Sequence, residues 1–76
     1  MYYVYVLYDK KRQKPYIGYT SDLNRRLEEH RAKKDPVLIY FEAYVSEKDA
    51  RLREQKLKAH GSGWVELKKR LIHSLP

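Results

Sequence analysis

Two tyrosine-rich runs held only seven polar residues apart set the tightest limit on how this chain can fold. The first, "YYVYVLY" from Tyr2 to Tyr8, has the aromatic and β-branched composition of a strand. The intervening "DKKRQKP", Asp9 to Pro15, turns the chain, and Pro15 limits the start of a second strand over Tyr16 to Tyr19. The result is a hairpin whose loop is longer than usual. Ser21 or Asp22 can cap a helix that runs to Lys33 or Lys34, where "DP" at Asp35 and Pro36 breaks it. "VLIYFEAYV", Val37 to Val45, is the third and most apolar strand. Ser46, with Asp49 three residues on in the manner of a capping box, starts a helix that reaches about Ala59. "GSG" interrupts, and a last helix spans Trp64 to His73. The order is β-β-α-β-α-α. It predicts an α+β fold, a three-stranded antiparallel sheet flanked by about three helices.

Seventy-six residues predict one domain over residues 1–76, because so short a chain cannot divide its apolar residues between two cores. Without cysteine it has neither a disulfide scaffold nor a thiolate zinc site. No apolar run approaches the roughly 18 residues that span a membrane. The start of the chain lacks the basic region and small-residue cleavage site of a signal peptide. A soluble, cytoplasmic protein is expected. Seventeen Lys and Arg against ten Asp and Glu leave a net charge of +7, which favours a polyanionic partner, nucleic acid before membrane. Eight tyrosines among those cations could stack on bases, although most sit in strand-like segments where filling a core is the commoner role.

Some residues break the helical and strand patterns. With Leu23 at zero and about 100° per residue, Leu27, His30 and Arg26 fall at about 40°, 340° and 300°. Arg26 and His30 therefore stand beside the apolar stripe, one turn apart, while Arg25, Glu28 and Glu29 face water. Either residue alone reads as a snorkelling or capping group. Both on one edge, directly after "YIG", read as a site. In the second helix Ala50, Glu54 and Leu57 share a stripe, which puts a carboxylate at its centre. An acid there needs a cation, a metal or hydrogen bonds. Arg51 and Lys58 are both at ion-pairing distance along the helix. Leu52 lies off this stripe.

On the first strand Val4 and Val6 point one way and Tyr3, Tyr5 and Leu7 the other. Tyr16 and Gly18 share a face of the second strand, and Gly18 would let another backbone or a phosphate approach closely. A tyrosine hydroxyl can act as a general base when cations stabilise its phenolate. His60 and His73 read as exposed helix-end residues, and Trp64 as the anchor of the last helix.

Taken together these residues resemble the GIY-YIG nuclease superfamily over nearly the whole chain. The first motif appears as "YVY", Tyr3 to Tyr5, with Tyr3 in place of the usual glycine, and the second as "YIG", Tyr16 to Gly18. The resemblance assigns the superfamily's arginine to Arg26, its histidine to His30 and its metal-binding glutamate to Glu54. Many members carry an asparagine beyond the glutamate helix. Here the only asparagine is Asn24. The chain is most similar to small standalone members and to the stretch shared by nucleotide-excision-repair nuclease subunits and some homing endonucleases.

The resemblance implies an endonuclease that hydrolyses phosphodiester bonds in DNA, with RNA not excluded, using one Mg²⁺ or Mn²⁺ held by Glu54. Tyr5 would be the general base, Tyr16 would orient the water or support the phenolate, Arg26 would stabilise the transition state, and His30 would relay the proton. Gly18 and Arg25 would contact substrate. One active centre nicks one strand, and a monomer suffices for that. The competing reading is a nucleic-acid-binding or accessory module without catalysis. Charge and tyrosines serve it equally, but it has no use for an acid at position 54.

Overall fold

The computed structural model describes residues 1–33, 36–59 and 62–76, so His60 lies outside the described residues. The elements are β1 (Tyr2–Asp9), β2 (Lys14–Thr20), α1 (Leu23–Lys33), β3 (Val37–Tyr44), α2 (Glu47–Lys58) and α3 (Ser62–Arg70), the expected α+β order. The sheet is antiparallel with strand order β2-β1-β3, which puts β1 at the centre. Tyr5 therefore lies opposite Gly18 on one side and Phe41 on the other. Among the described residues no helix is long and apolar enough to cross a membrane.

The hairpin is tighter than its sequence suggests. Pairing continues out to Asp9 opposite Lys14, which leaves only Lys10 to Gln13 as the loop. The Asp9 carboxylate folds that loop by accepting the backbone N–H groups of Lys11 at 3.0 Å and Arg12 at 3.2 Å. Gln13 closes it with a positive φ of 55°. Pro15 sits inside β2 rather than at its threshold, which the sheet tolerates because β2 is an edge strand. On β3 a bulge opposite Val6 and Leu7 leaves Ile39 as the additional residue.

Alternation along β1 divides the two faces. Val4 and Val6 join Ile17 beneath α2 and α3, where Ala50, Leu57, Leu67 and Leu71 complete a buried core and Trp64 packs against it. Ser46 caps α2, its hydroxyl accepting the Asp49 N–H at 3.4 Å. Helix α3 begins at Ser62, before the expected Trp64, because Gly63 lies against the last turn of α2. A Cβ there would stand 2.4 Å from the Lys56 carbonyl oxygen, so a residue that reads as a breaker instead permits close packing. The helix ends at Arg70, and exposed His73 falls in the turns beyond it.

Glu42 is an acid that the apolar pattern of β3 conceals. Its carboxylate accepts two bonds from Arg53 Nε, at 3.0 and 3.1 Å, and pairs with the guanidinium Nη2 at 3.0 Å. The Tyr40 and Tyr44 hydroxyls donate to the same group. Burial opposes its ionisation, but these bonds outweigh burial and hold its pKa below the usual carboxylate value. A lowered folded-state pKa means that the stabilisation is full above the unfolded pKa and is lost as pH falls through the folded one. Glu42→Gln is accordingly expected to cost about 1–2 kcal/mol at neutral pH. It should also flatten the loss of stability that the parent shows on acidification. Urea melts across the acid range check both, and a variant with the parent's pH dependence would remove Glu42 from the account.

Candidate active site

The face of the sheet opposite the main core carries Tyr5, Leu7, Tyr16 and Gly18, and α1 lays His30 across it. Gly18 explains how Tyr5 fits. A Cβ at position 18 would lie 2.4 Å from both Cζ and the hydroxyl oxygen of Tyr5, so the tyrosine ring crosses directly over the glycine. The close approach read from the sequence is made here by the side chain of Tyr5. The ring is 1% exposed, whereas Tyr16 is 52% exposed. Their centroids stand 6.3 Å apart, and His30 packs against both, at 6.1 Å from Tyr5 and 5.1 Å from Tyr16. The Tyr5 hydroxyl lies 3.4 Å from His30 Nε2.

Helix α1 presents these groups because its start is fixed. Of the two candidate caps it is Asp22 that serves, its Oδ1 accepting the Arg25 N–H at 3.2 Å while its carbonyl accepts the Arg26 N–H at 3.2 Å. Thr20 Oγ1 in turn accepts the Asp22 N–H at 3.1 Å, tying the helix start to the end of β2. The expected stripe is shallow: Leu23, Leu27 and His30 are half-buried, and no side chain of α1 is fully buried. Glu29, which the helical count leaves facing water, holds both arginines. Arg25 Nε reaches its Oε1 at 3.4 Å and Arg26 Nη1 its Oε2 at 3.5 Å. The i, i+4 and i, i+3 spacings are the sequence signal for this fork.

Two shifted groups define the electrostatics. The Tyr5 pKa is pushed up to about 12 by burial first and by Tyr16 second, with Glu54 and Glu29 adding to the rise and Arg26 opposing it. His30 is pushed below its ordinary value by burial first, then by Arg26 and Lys33, against the pull of Glu29. The lowered pKa favours the neutral imidazole at neutral pH, whose Nδ1–H tautomer leaves Nε2 open to accept a hydrogen bond from the Tyr5 hydroxyl. The guanidinium of Arg26 reaches both Tyr5 and His30 electrostatically.

Glu54 lies on the partly buried side of α2, its side chain 22% exposed, and pairs with Lys58 Nζ at 3.3 Å. Arg51, the other partner open to it, turns instead to Glu47 at 3.4 Å and lies 5.2 Å over the Tyr19 ring. Among the described residues no three of His, Cys, Asp and Glu gather into a closed metal site. A lone carboxylate whose charge is felt at Tyr5 fits a hard cation that keeps most of its waters and takes substrate phosphate as a further ligand. It does not fit zinc, which needs three or four protein ligands.

The GIY-YIG catalytic domain family matches residues 1–64, a stretch that contains both tyrosine strands, α1, β3 and α2. The solution NMR structure of the UPF0213 protein BH0048 from Bacillus halodurans is similar, with a TM-score of 0.56 and 28% sequence identity, over 90% of this chain and 86% of that one. No curated protein matches.

Proposed function

Because the chain belongs to the GIY-YIG catalytic domain family, we propose that it is a metal-dependent endonuclease that nicks DNA by hydrolysing phosphodiester bonds. The observation that carries the reading is the buried Tyr5 hydroxyl, seated over Gly18 and 3.4 Å from a neutral histidine nitrogen. A tyrosine with a pKa near 12 holds almost no standing phenolate at neutral pH, so a base built on it needs a proton acceptor behind it. His30 is that acceptor. Tyr16, half-exposed at the mouth, positions the attacking water. As the water's proton passes to the Tyr5 oxygen, the Tyr5 proton passes to His30 Nε2, and the hydroxide formed attacks phosphorus as the bond from phosphorus to the leaving oxygen breaks. The leaving oxygen takes a proton from solvent, and His30 returns its own to solvent.

Arg26 stabilises charge on the non-bridging oxygens, exchanging its exposed pair with Glu29 for the phosphate. Glu54 would hold Mg²⁺ or Mn²⁺, which when bound supplies Lewis-acid charge beside the leaving oxygen. The competing reading, a binding module without catalysis, is supported by the Glu54–Lys58 ion pair, which satisfies that acid without a metal.

A nicking assay on supercoiled plasmid with magnesium or manganese tests the proposal, and the two adjacent arginines supply its internal control. Arg26→Ala is expected to lower the nicking rate roughly a hundredfold with little loss of DNA affinity, because its contribution belongs to the transition state. Arg25, with a side chain 78% exposed, is expected to affect affinity modestly and rate hardly at all. Equal losses from both substitutions would overturn the assignment of the helix face. No metal-dependent nicking by the parent would leave the binding-module reading standing.

A further inference from the structure

Beside Tyr16 the sheet face continues into a cleft of about 360 Å³, within the range of small-molecule and nucleotide sites. Its apolar floor is formed by Leu7, Pro15, Tyr16 and Pro36, and its rim carries Arg12, Lys14 and Lys33. His30 borders it, so the cleft opens from the Tyr5–His30 pair. Asp9, the acid at its edge, accepts the loop amides at Oδ1 and pairs with Arg12 Nε through Oδ2 at 3.9 Å, a loose pair that Arg12 would exchange for the phosphate. A second hollow, of about 660 Å³, continues from the same rim past Lys10 and Lys11. An apolar floor with an exposed aromatic ring and a cationic rim matches one class of ligand, a nucleobase carrying a phosphate.

We propose that this cleft takes one unstacked nucleotide of the substrate strand next to the scissile phosphate. Its base lies on Tyr16 and the prolines, its phosphate on Arg12, Lys14 and Lys33, and the backbone leaves over Lys10 and Lys11. A base inside a continuous duplex cannot reach this floor without leaving its stack, and that disfavours intact duplex. The preferred substrate is therefore DNA with an unpaired nucleotide beside the cut, such as a flap, bulge or fork. This specificity rests on the nuclease reading of the neighbouring site.

Two measurements separate the failure of the cleft from the failure of the nuclease. Titration of the ¹⁵N-labelled protein with adenosine 5′-monophosphate, without metal, is expected to shift the resonances of Leu7, Lys14, Tyr16 and Lys33. Binding of equal-length duplexes with and without one bulged nucleotide is expected to favour the bulge about tenfold, the value of one stacked base. An abasic bulge should lose that preference. Lys14→Ala and Lys33→Ala should weaken binding of the bulged duplex more than of the intact one, and lower the log–log salt slope of the bulged duplex by about one for each phosphate no longer neutralised. Equal affinity for bulged, abasic and intact duplexes, or mononucleotide shifts confined to other residues, overturns the cleft even if plasmid is nicked. Mononucleotide binding in the cleft without nicking leaves the cleft and removes the nuclease.

Discussion

Glu54→Gln is expected to slow nicking about a thousandfold at ordinary magnesium concentration, the combined loss of a metal ligand and of transition-state charge stabilisation. Glutamine keeps the size and helix propensity of glutamate but lacks the charge that a hard cation requires. The fold should survive, since the pair removed is with Lys58, a side chain 53% exposed. Such an i, i+4 pair contributes only about 0.3–0.5 kcal/mol. DNA affinity should hold or rise, because a carboxylate beside the phosphate path is removed. Raising magnesium should recover part of the rate, and paramagnetic relaxation by Mn²⁺ should show weaker binding without reference to activity. Melts and nicking rates on one preparation separate the two roles: a slightly destabilised variant that cuts at the parent rate would make Glu54 an ion-pair residue and nothing more.

Gly18→Ala is expected to destabilise the protein by about 1–3 kcal/mol, the range for a methyl forced into a filled space. A glycine inside a strand is ordinarily a weakness that alanine repairs by roughly 0.5–1 kcal/mol. Here the new Cβ meets Tyr5 Cζ and its hydroxyl oxygen at 2.4 Å, and a ring 1% exposed has nowhere to swing. The clash outweighs the entropic gain. Whatever yields, the Tyr5 hydroxyl is displaced from its place beside His30, and the nicking rate of the folded fraction should fall about a hundredfold. Tyr5→Leu removes the ring, so the stability cost of Gly18→Ala should shrink in that background. Additive costs in the double-mutant cycle would show that the glycine is needed for some other reason.

The elements that periodicity and composition mark clearly are the ones the sequence locates well. β1, β3 and α2 fall within a residue or so of their expected ends, because alternation, apolar density and a Ser46 cap all point the same way there. Polar residues at strand ends mislead: Asp9 and Lys14 look like loop but extend the hairpin, since the pairing of the backbone does not depend on side-chain polarity. Gly63 misleads in the other direction, because its reason lies on another helix.

For the candidate site, the placements of Arg26, His30 and Glu54 are legible one at a time from the sides of their helices. The Tyr5–Gly18 crossing is not, for it depends on hairpin register, which no local pattern fixes. Glu42 is hidden because Arg53, which joins its strand neighbours Tyr40 and Tyr44 in satisfying it, arrives only when α2 docks on β3.

The strand order β2-β1-β3 also divides the two tyrosines between the most and the least protected parts of the sheet. Tyr5 stands on a strand bonded along both sides, so its backbone opens only when the sheet itself comes apart. Tyr16 stands on a rim strand that follows a four-residue loop and contains a proline without an N–H. Fraying from Lys14 inward carries Tyr16 and the mouth of the cleft with it while Tyr5 stays in place over its glycine. The buried hydroxyl of Tyr5 is thus fixed to the doubly paired centre of the sheet, and the exposed ring of Tyr16 rides on the strand best able to give way.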